Sequence, residues 1–211
     1  MRIGVTQRVE VVEAYGERRD CLDQQWSVLL ADLGHTLVPV PNALTRPEAW
    51  LEQTSLDGFI LTGGNDLARL PNASRPAPER DATEWALLGH ARERFLPVLG
   101  VCRGFQVMNV YLGGSLVPVS GHVAARHAVA PVSDEAMFSG HFEVNSFHDW
   151  GVDEGGLSEA LIPALCCDDG TIEAARHVEL PWFCMMWHPE RENPFFPADL
   201  VLLKQIFEVE K

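Results

Sequence analysis

Short apolar runs alternate with longer segments of helical periodicity along the chain. Runs of this kind, bounded by Gly and Pro, predict buried strands, and the periodic segments between them predict helices that cover both faces of one sheet. We therefore predict an α/β fold with a doubly wound sheet. The predicted strands span residues 3–7, 36–40, 58–61, 97–101, 142–145, 160–166, 172–175 and 183–187.

Apolar stripes indicate the helices that connect these strands. In the third predicted helix, Trp85, Leu88 and Ala91 fall on the face expected to point inward. Residues 69–80 are rich in Pro, Ala and Arg, which predicts an irregular surface loop rather than a linker, so we expect one domain over residues 1–211. The predicted helices span residues 20–33, 47–53, 81–95 and 200–210.

The charge of the chain limits its partners. The formal net charge is -14, and only two of the 16 basic residues are lysines, so the surface should repel phosphate backbones and anionic lipids. We expect no nucleic-acid and no membrane partner. The N-terminus has no apolar signal core, and no segment approaches the roughly 20 apolar residues of a membrane span, so we expect a cytoplasmic protein. The five cysteines show no CxxC spacing, which favours reduced thiols.

Residues 97–114, PVLGVCRGFQVMNVYLGG, run from an apolar strand through a cysteine into a helical pattern. This is the layout of a nucleophile elbow, in which small residues such as Gly100 and Gly104 permit a tight turn. Cys102 would lie at the positive end of the helix that begins at Arg103, which favours the thiolate. On the cysteine alone, a buried structural thiol is an equally good interpretation.

Residues 182–192, WFCMMWHPERE, end a second apolar strand in a histidine and an acid. Residues two apart on extended backbone point to the same side, so the Glu190 carboxylate can reach one ring nitrogen of His188 while the other faces a thiol. Together with Cys102, this predicts a triad of nucleophile, base and orienting acid.

Residues 58–66, GFILTGGND, contain a third apolar strand that breaks into a Gly-Gly turn. Backbone N–H groups at such a turn can hold the oxyanion of a tetrahedral intermediate, and each donor contributes on the order of 3 kcal/mol. We predict that the backbone of Gly64, with Gly63 as the alternative, supplies one donor and that the backbone of Arg103 supplies the other.

The motifs LTGGND, GVCRGFQ and MWHPE occur in the order found in the class I glutamine amidotransferase superfamily, which the chain resembles over nearly its whole length. The segment RDATEWALLGHARERFLPVLGVCRGFQVMNVYLGGSL is similar to the gamma-glutamyl hydrolase branch, including the gamma-glutamyl-GABA hydrolases, and MMWHPERENPF resembles the gamma-glutamyl-CDP-amidate hydrolases. The resemblance implies a flavodoxin-like fold whose mostly parallel central sheet is flanked by helices and carries a small antiparallel extension.

The resemblance also implies a reaction and a substrate site. A gamma-glutamyl amide would be cut through a thioester on Cys102, releasing glutamate and an amine. Gln106 and Gly63 would lie at the glutamyl group, as would Ser146 and His148 of the segment VNSFHDWGV. In this segment Asp149 stands where the gamma-glutamyl-GABA branch usually has a second histidine, so the leaving group is expected to differ.

Two arginines are candidates for contact with an anionic leaving portion, Arg103 and Arg191. No metal and no organic cofactor is expected, because the histidines, His122 and His127 included, lack spacing of the HExxH type.

Three other interpretations remain open on the sequence alone. The first is a glutaminase subunit that passes ammonia to a synthase, which here would be a separate partner because no synthase domain follows before Lys211. The second is a ThiJ-type protein, in which the elbow cysteine serves other chemistry. The His188-Pro-Glu190 motif near the C-terminus of this chain argues against that interpretation. The third is a binding or regulatory domain without turnover. A homodimer also remains open.

Overall fold

The computed structural model describes residues 1–133 and 136–208. Its strands are β1 (Arg2–Thr6), β2 (Arg8–Val12), β3 (Glu17–Cys21), β4 (Thr36–Val40), β5 (Gly58–Leu61), β6 (Val98–Val101), β7 (Val117–Pro118), β8 (Val123–Ala128), β9 (Ala130–Pro131), β10 (Glu143–Phe147), β11 (Trp150–Gly151), β12 (Leu161–Cys166), β13 (Ile172–His177) and β14 (Trp182–Met185). Its helices are α1 (Gln24–Asp32), α2 (Pro47–Thr54), α3 (Pro78–Arg94), α4 (Arg103–Tyr111) and α5 (Pro197–Phe207), with short 3-10 turns at Ala136–Phe138 and Pro189–Arg191.

Eight strands form the central sheet in the order β4-β1-β5-β6-β14-β13-β12-β9. The first five strands in this order pair in parallel. The last three continue the sheet in antiparallel pairs. Three two-stranded sheets, β10-β8, β11-β7 and β2-β3, are separate from it. The predicted doubly wound sheet with an antiparallel extension is therefore confirmed.

The central strands are buried on both faces, as expected for parallel strands covered by helices. In β5, Ile60 packs with α1 and α5, whereas Phe59 and Leu61 pack with α2, α3 and α4. In β6, Val101 packs on the α1 and α5 side of the sheet, and Val98 packs on the side of α2, α3 and α4. Because side chains alternate between the two faces along a strand, each of these strands packs against both helical layers. No helix in the described residues is long and apolar enough to cross a membrane.

The predicted helix at 20–33 begins too early. Residues 17–21 form β3, which pairs with β2 as a hairpin, and α1 begins after Asp23, whose side chain accepts a hydrogen bond from the Gln25 N–H at 2.9 Å. Valines alternate with polar residues in β2, but β3 is polar up to Cys21, so the sequence pattern did not reveal a strand there. At the other end of the chain, α5 ends at Phe207, and the predicted continuation through residues 209–210 lies outside the described residues.

The prediction of a surface loop over residues 69–80 is wrong at its end. Helix α3 begins at Pro78, at the first turn that proline favours, so Arg80 lies within the helix and is fully buried. The inward position predicted for Trp85 is also wrong: its side chain is 40% exposed and packs edge-on against Tyr111. Leu88 and Ala91 are buried as predicted.

Candidate active site

The nucleophile elbow joins β6 to α4 at Cys102. Its backbone has φ 52° and ψ -106°, and its N–H donates to the Met185 carbonyl of β14 at 2.8 Å. A residue other than glycine rarely adopts a positive φ, so the surrounding structure must hold this turn. A side chain at Gly104 would place its Cβ 2.0 Å from the Leu61 carbonyl oxygen, and one at Gly100 would lie 2.7 Å from the Gly104 carbonyl oxygen. Both glycines are therefore required by close packing of the turn.

His188 follows β14, and its ring lies against the Gly-Gly turn after β5. Its Nδ1 is 2.8 Å from Glu190 Oε1. The His188 N–H donates to Asn145 Oδ1, and the His188 carbonyl accepts from Asn145 Nδ2, both at 2.9 Å. A Cβ on Gly63 would lie only 2.6 Å from His188 Cε1. The backbone of His188 is thus fixed by Asn145 and its ring by Gly63.

The charged forms of Cys102 and His188 stabilise each other. Burial alone would raise the pKa of the Cys102 thiol, but the charge and contact of His188, the charge of His148 and the Arg103 N–H outweigh it, so the pKa is lowered. Burial would lower the pKa of His188, but Glu190 and Cys102 raise it to about 9. Both shifts favour a thiolate beside an imidazolium. The Nε2 atom of His188 is buried and has no hydrogen-bond partner of normal geometry among the described residues.

The two predicted oxyanion donors lie on either side of the Cys102 turn. Gly64 has φ +85°, and its carbonyl accepts from Arg80 Nη1 at 2.7 Å, while the Gly63 carbonyl accepts from the same atom at 3.0 Å. These bonds turn the two carbonyl groups toward Arg80 and fix the peptide planes. The Arg103 N–H interacts with the Cys102 thiol at the start of α4. One of the two predicted backbone donors, the Arg103 N–H, is therefore in contact with the sulfur.

A buried ion network lies beneath this turn. Arg80 Nε donates to Glu84 Oε1 at 2.9 Å, and the guanidinium of Arg103 contacts both Glu84 and Asp81. The Arg103 side chain is therefore buried in these ion pairs, and the expectation that it faces an anionic leaving portion is wrong. Its ion pairs instead anchor the first residue of α4. The R-D-x-x-E pattern was visible in the sequence, but the function of its members became clear only from these contacts.

The cleft over Cys102 has a volume of about 180 Å³. Gln106 borders it and donates from Nε2 to the Trp150 carbonyl at 2.8 Å, so it holds the opposite wall in place. His148 also borders the cleft, and its Nδ1 is 3.0 Å from the Trp150 carbonyl. The lining residues are Gly64, Asn65, Asp66, Ser74, Arg75, Cys102, Arg103, Gln106, Phe147, His148, Asp149 and Trp150.

Two predicted substrate residues lie off the cleft surface. Ser146 is fully buried, and its hydroxyl donates to the His122 carbonyl at 2.7 Å, which places it behind the cleft wall. Arg191 stacks over the Phe147 ring, with its Cζ 4.2 Å from the ring centroid, and borders a neighbouring depression with Arg126 and Asn145. Because Phe147 borders both hollows, Arg191 is one aromatic ring away from the cleft.

Sequence reasoning missed Asn145 and Arg80. Asn145 belongs to the segment VNSFHDWGV that was selected for Ser146 and His148, yet it is the residue that bonds the backbone of His188. Arg80 was assigned to a loop. Buried polar residues of this kind have no periodic signature in a sequence, because their partners lie on other elements.

The sequence profile of the Peptidase C26 family matches residues 2–190. A gamma-glutamyl-CDP-amidate hydrolase from Campylobacter jejuni is 33% identical over 213 residues, with 100% of both chains covered. The gamma-glutamyl-gamma-aminobutyrate hydrolase PuuD of Escherichia coli K12 is 28% identical over 222 residues, which cover 90% of this chain and 86% of PuuD. The solved structure of a glutamine amidotransferase from Thermotoga maritima has a TM-score of 0.73 at 17% identity, covering 99% of this chain and 98% of the other, and supports the same fold.

Proposed function

Because the chain belongs to the Peptidase C26 family of hydrolases, we propose that it cuts the amide bond of a small gamma-glutamyl conjugate and releases glutamate and an amine. The family membership agrees with the resemblance to class I glutamine amidotransferases. The observation that carries the proposal is the contact between the Cys102 thiol, which borders the cleft, and the buried His188–Glu190 pair. Gamma-glutamyl substrates are named for the two relatives described above.

The proposed reaction has two halves. The Cys102 sulfur forms a bond to the side-chain carbonyl carbon of the gamma-glutamyl group, and the oxyanion is held by the N–H groups of Gly64 and Arg103. As the C–N bond breaks, His188 gives its proton to the departing nitrogen. A water molecule then adds to the thioester while His188 takes its proton, and the Cys102 thiol departs with that proton as glutamate is formed.

Glu190 has an orienting role in this proposal. Its bond to Nδ1 of His188 fixes the ring so that Nε2 faces the sulfur, and its charge favours the imidazolium that forms during the reaction. Gln106 and the Trp150 carbonyl that it holds would border the glutamyl group. The identity of the amine is the least constrained part of the proposal, because the cleft carries both acidic and basic side chains, Asp66, Asp149 and Arg75 among them.

Glutamate release tests the proposal. The purified chain is incubated with gamma-glutamyl conjugates of GABA, a polyamine, a peptide and a nucleotide amidate, with glutamine as the comparison and Cys102→Ser as the control. We expect release from at least one conjugate, much less from glutamine, and none with the variant. Substantial turnover of glutamine alone would favour the glutaminase subunit, and no release from any of the five would favour a domain without turnover.

A further inference from the structure

A second polar cluster adjoins the cleft, and one of its residues, His148, borders the cleft. It consists of His122, before β8, His148, between β10 and β11, and Glu173, on β13. None of the three side chains is more than 4% exposed. One nitrogen of each ring and one carboxylate oxygen all lie within 4.8 Å of one another. The sequence did not indicate this cluster, because the three residues come from separate segments and have no local ligand spacing.

The inward atoms of this cluster have no hydrogen-bond partners within residues 1–133 and 136–208. His122 Nδ1, His148 Nε2 and both oxygens of Glu173 are buried without one. The two nitrogens are 3.7 and 3.6 Å from Glu173 Oε1, which is too far for a hydrogen bond. The Cys167 thiol lies near this carboxylate, and burial and Glu173 raise the pKa of that thiol, but a thiol is only a weak donor. A buried carboxylate without a strong partner is costly, so this arrangement points to a bound cation.

The outward nitrogens of both rings are engaged. His122 Nε2 is 2.8 Å from Asp169 Oδ2, and His148 Nδ1 is 3.0 Å from the Trp150 carbonyl. Both partners are acceptors, so these outward nitrogens carry the protons of the neutral rings. In the neutral rings, the inward nitrogens present lone pairs to a carboxylate. Three acceptors that face one point repel one another unless a metal ion or a proton lies between them. Without an ion, burial is outweighed by Glu173 and Cys102, which raise the pKa of His148, so a proton on this ring competes with the ion.

We propose that His122, His148 and Glu173 bind one divalent transition-metal ion of the zinc type. Two imidazole nitrogens and one carboxylate oxygen are a donor set that suits such an ion better than Mg²⁺ or Ca²⁺, which take mainly oxygen ligands. Ligands at about 2.0–2.2 Å in a tetrahedron are about 3.4 Å apart. The nitrogen-to-oxygen separations of 3.7 and 3.6 Å need to shorten by a few tenths of an ångström, and the two nitrogens, which lie within 4.8 Å of each other, need to approach by up to about 1.4 Å.

The surrounding residues resemble the outer shell of a metal site. Ligating histidines commonly donate their second N–H to a carboxylate or a backbone carbonyl, which fixes the ring and its tautomer. Asp169 and the Trp150 carbonyl have these roles here. The side chain of Asp169 is half exposed and marks the route by which an ion would enter. The proposed ion positions His148 in the cleft wall and takes no part in the bond-breaking steps.

Cobalt binding to a Cys102→Ser chain tests the proposal without depending on the hydrolase function. Removing Cys102 excludes a site formed by the thiolate and His188, the obvious competitor for a soft metal. We expect one Co²⁺ per chain with d–d absorption bands, displacement of Co²⁺ by Zn²⁺, and a higher Tm in the presence of Zn²⁺. Glu173→Gln in the same background should weaken binding at least 10-fold, because a ligand charge is removed.

Two further variants make each outcome decisive. His122→Asn removes a different ligand and is used in place of Glu173→Gln if the Glu173→Gln chain does not fold. His90→Gln, on α3, is the control that should keep full affinity for Co²⁺. The proposal is overturned if the folded Cys102→Ser chain binds no Co²⁺ or if the ligand variants bind as tightly as their parent. Thiolate-to-cobalt charge-transfer bands would also overturn it, because they would place the ion on one of the remaining cysteines.

Discussion

Two histidine–glutamate pairs lie near the Cys102 thiol, and their geometry differs. His188 and Glu190 are joined by a hydrogen bond of 2.8 Å, whereas His148 Nε2 and Glu173 Oε1 are 3.6 Å apart with a second histidine at 3.7 Å. In the proposed reaction, the first pair is an oriented base with its acid. The second has two rings around one carboxylate and leaves their facing atoms unpartnered in the part of the chain that the structure describes.

The difference shows how neighbouring residues of the same types acquire different chemistry. Glu190 lies two residues after His188 on one turn, so backbone geometry brings them into contact. Glu173 is held on β13, and His122 and His148 reach it from segments outside the central sheet. Proton transfer needs the tight pair, and cation binding needs the open cluster. The predictions below separate these two assignments.

The largest effect is expected from the nucleophile and its base. Cys102→Ser and His188→Asn should each lower kcat/KM for the best gamma-glutamyl substrate by roughly 10³-fold or more, since neither attack nor proton transfer can be replaced. Circular dichroism and Tm should show that both variants are folded. Retention of more than a tenth of the parent kcat/KM by either variant would contradict the assignment.

The second expected effect is on the pH dependence of Cys102 alkylation. The lowered thiol pKa and the His188 pKa of about 9 predict an ion pair that persists at neutral pH and is lost as pH rises through about 9. In His188→Asn the main cause of the lowering is gone and burial remains, so the thiolate fraction and the alkylation rate at pH 7 should fall about 10-fold or more, with the profile shifted to higher pH. The rate of reaction with a glutamine-mimicking diazo-ketone or with iodoacetamide measures this. An identical profile in both proteins would remove His188 from contact with the thiol.

A loss of kcat smaller than that of Cys102→Ser is expected from the substitution of each of the two carboxylates. Glu190→Gln should reduce kcat by roughly 10²-fold, because the nucleophile and oxyanion donors remain while the ring loses its orienting charge. Glu173→Gln should reduce kcat by less and should instead weaken metal binding at least 10-fold. Steady-state kinetics beside Co²⁺ titration of both variants tests the comparison. If Glu190→Gln were as active as the parent, or if the two variants showed the reverse pattern, the two pairs would have been assigned the wrong way round.

The smallest effect concerns the glycine that packs on His188. Gly63→Ala places a methyl group 2.6 Å from His188 Cε1, so the ring must move and kcat should fall about 10-fold. Gly89→Ala is the matched control, because the methyl group on helix α3 meets only the Tyr111 hydroxyl at 4.0 Å. The control should keep full activity and raise the free energy of unfolding by up to about 1 kcal/mol. Equal activity of the two variants would mean that Gly63 does not determine the position of His188.

The sequence predicted the parallel strands and the elbow because apolar runs and close glycine contacts leave direct traces in composition and spacing. The hairpin β2-β3 was missed, since both strands are short and β3 is mostly polar. The burial of Arg80 and the Arg103 ion pairs were missed for a different reason. Their partners, Glu84 and Asp81, look like ordinary acids on a solvated helix until the fold brings α3 beneath the elbow.

The candidate site shows the same limit. Cys102, His188 and Glu190 were selected because each stands at the end of an apolar strand, where side chains gather at the sheet edge. Asn145 and the cluster of His122, His148 and Glu173 come from loops and from strands outside the parallel region. No periodicity in the sequence relates such residues to one another, because only the tertiary fold brings them into contact.

The central claim is that the gamma-glutamyl group passes through a covalent bond to the Cys102 sulfur. The most direct measurement is peptide mass spectrometry after acid quenching of Glu190→Gln during turnover of a gamma-glutamyl conjugate, with Cys102→Ser as the control. The account predicts a glutamyl group on the peptide that contains Cys102, absent from the control. Steady glutamate release with no acyl group on that peptide, or with the group on another cysteine, would contradict it.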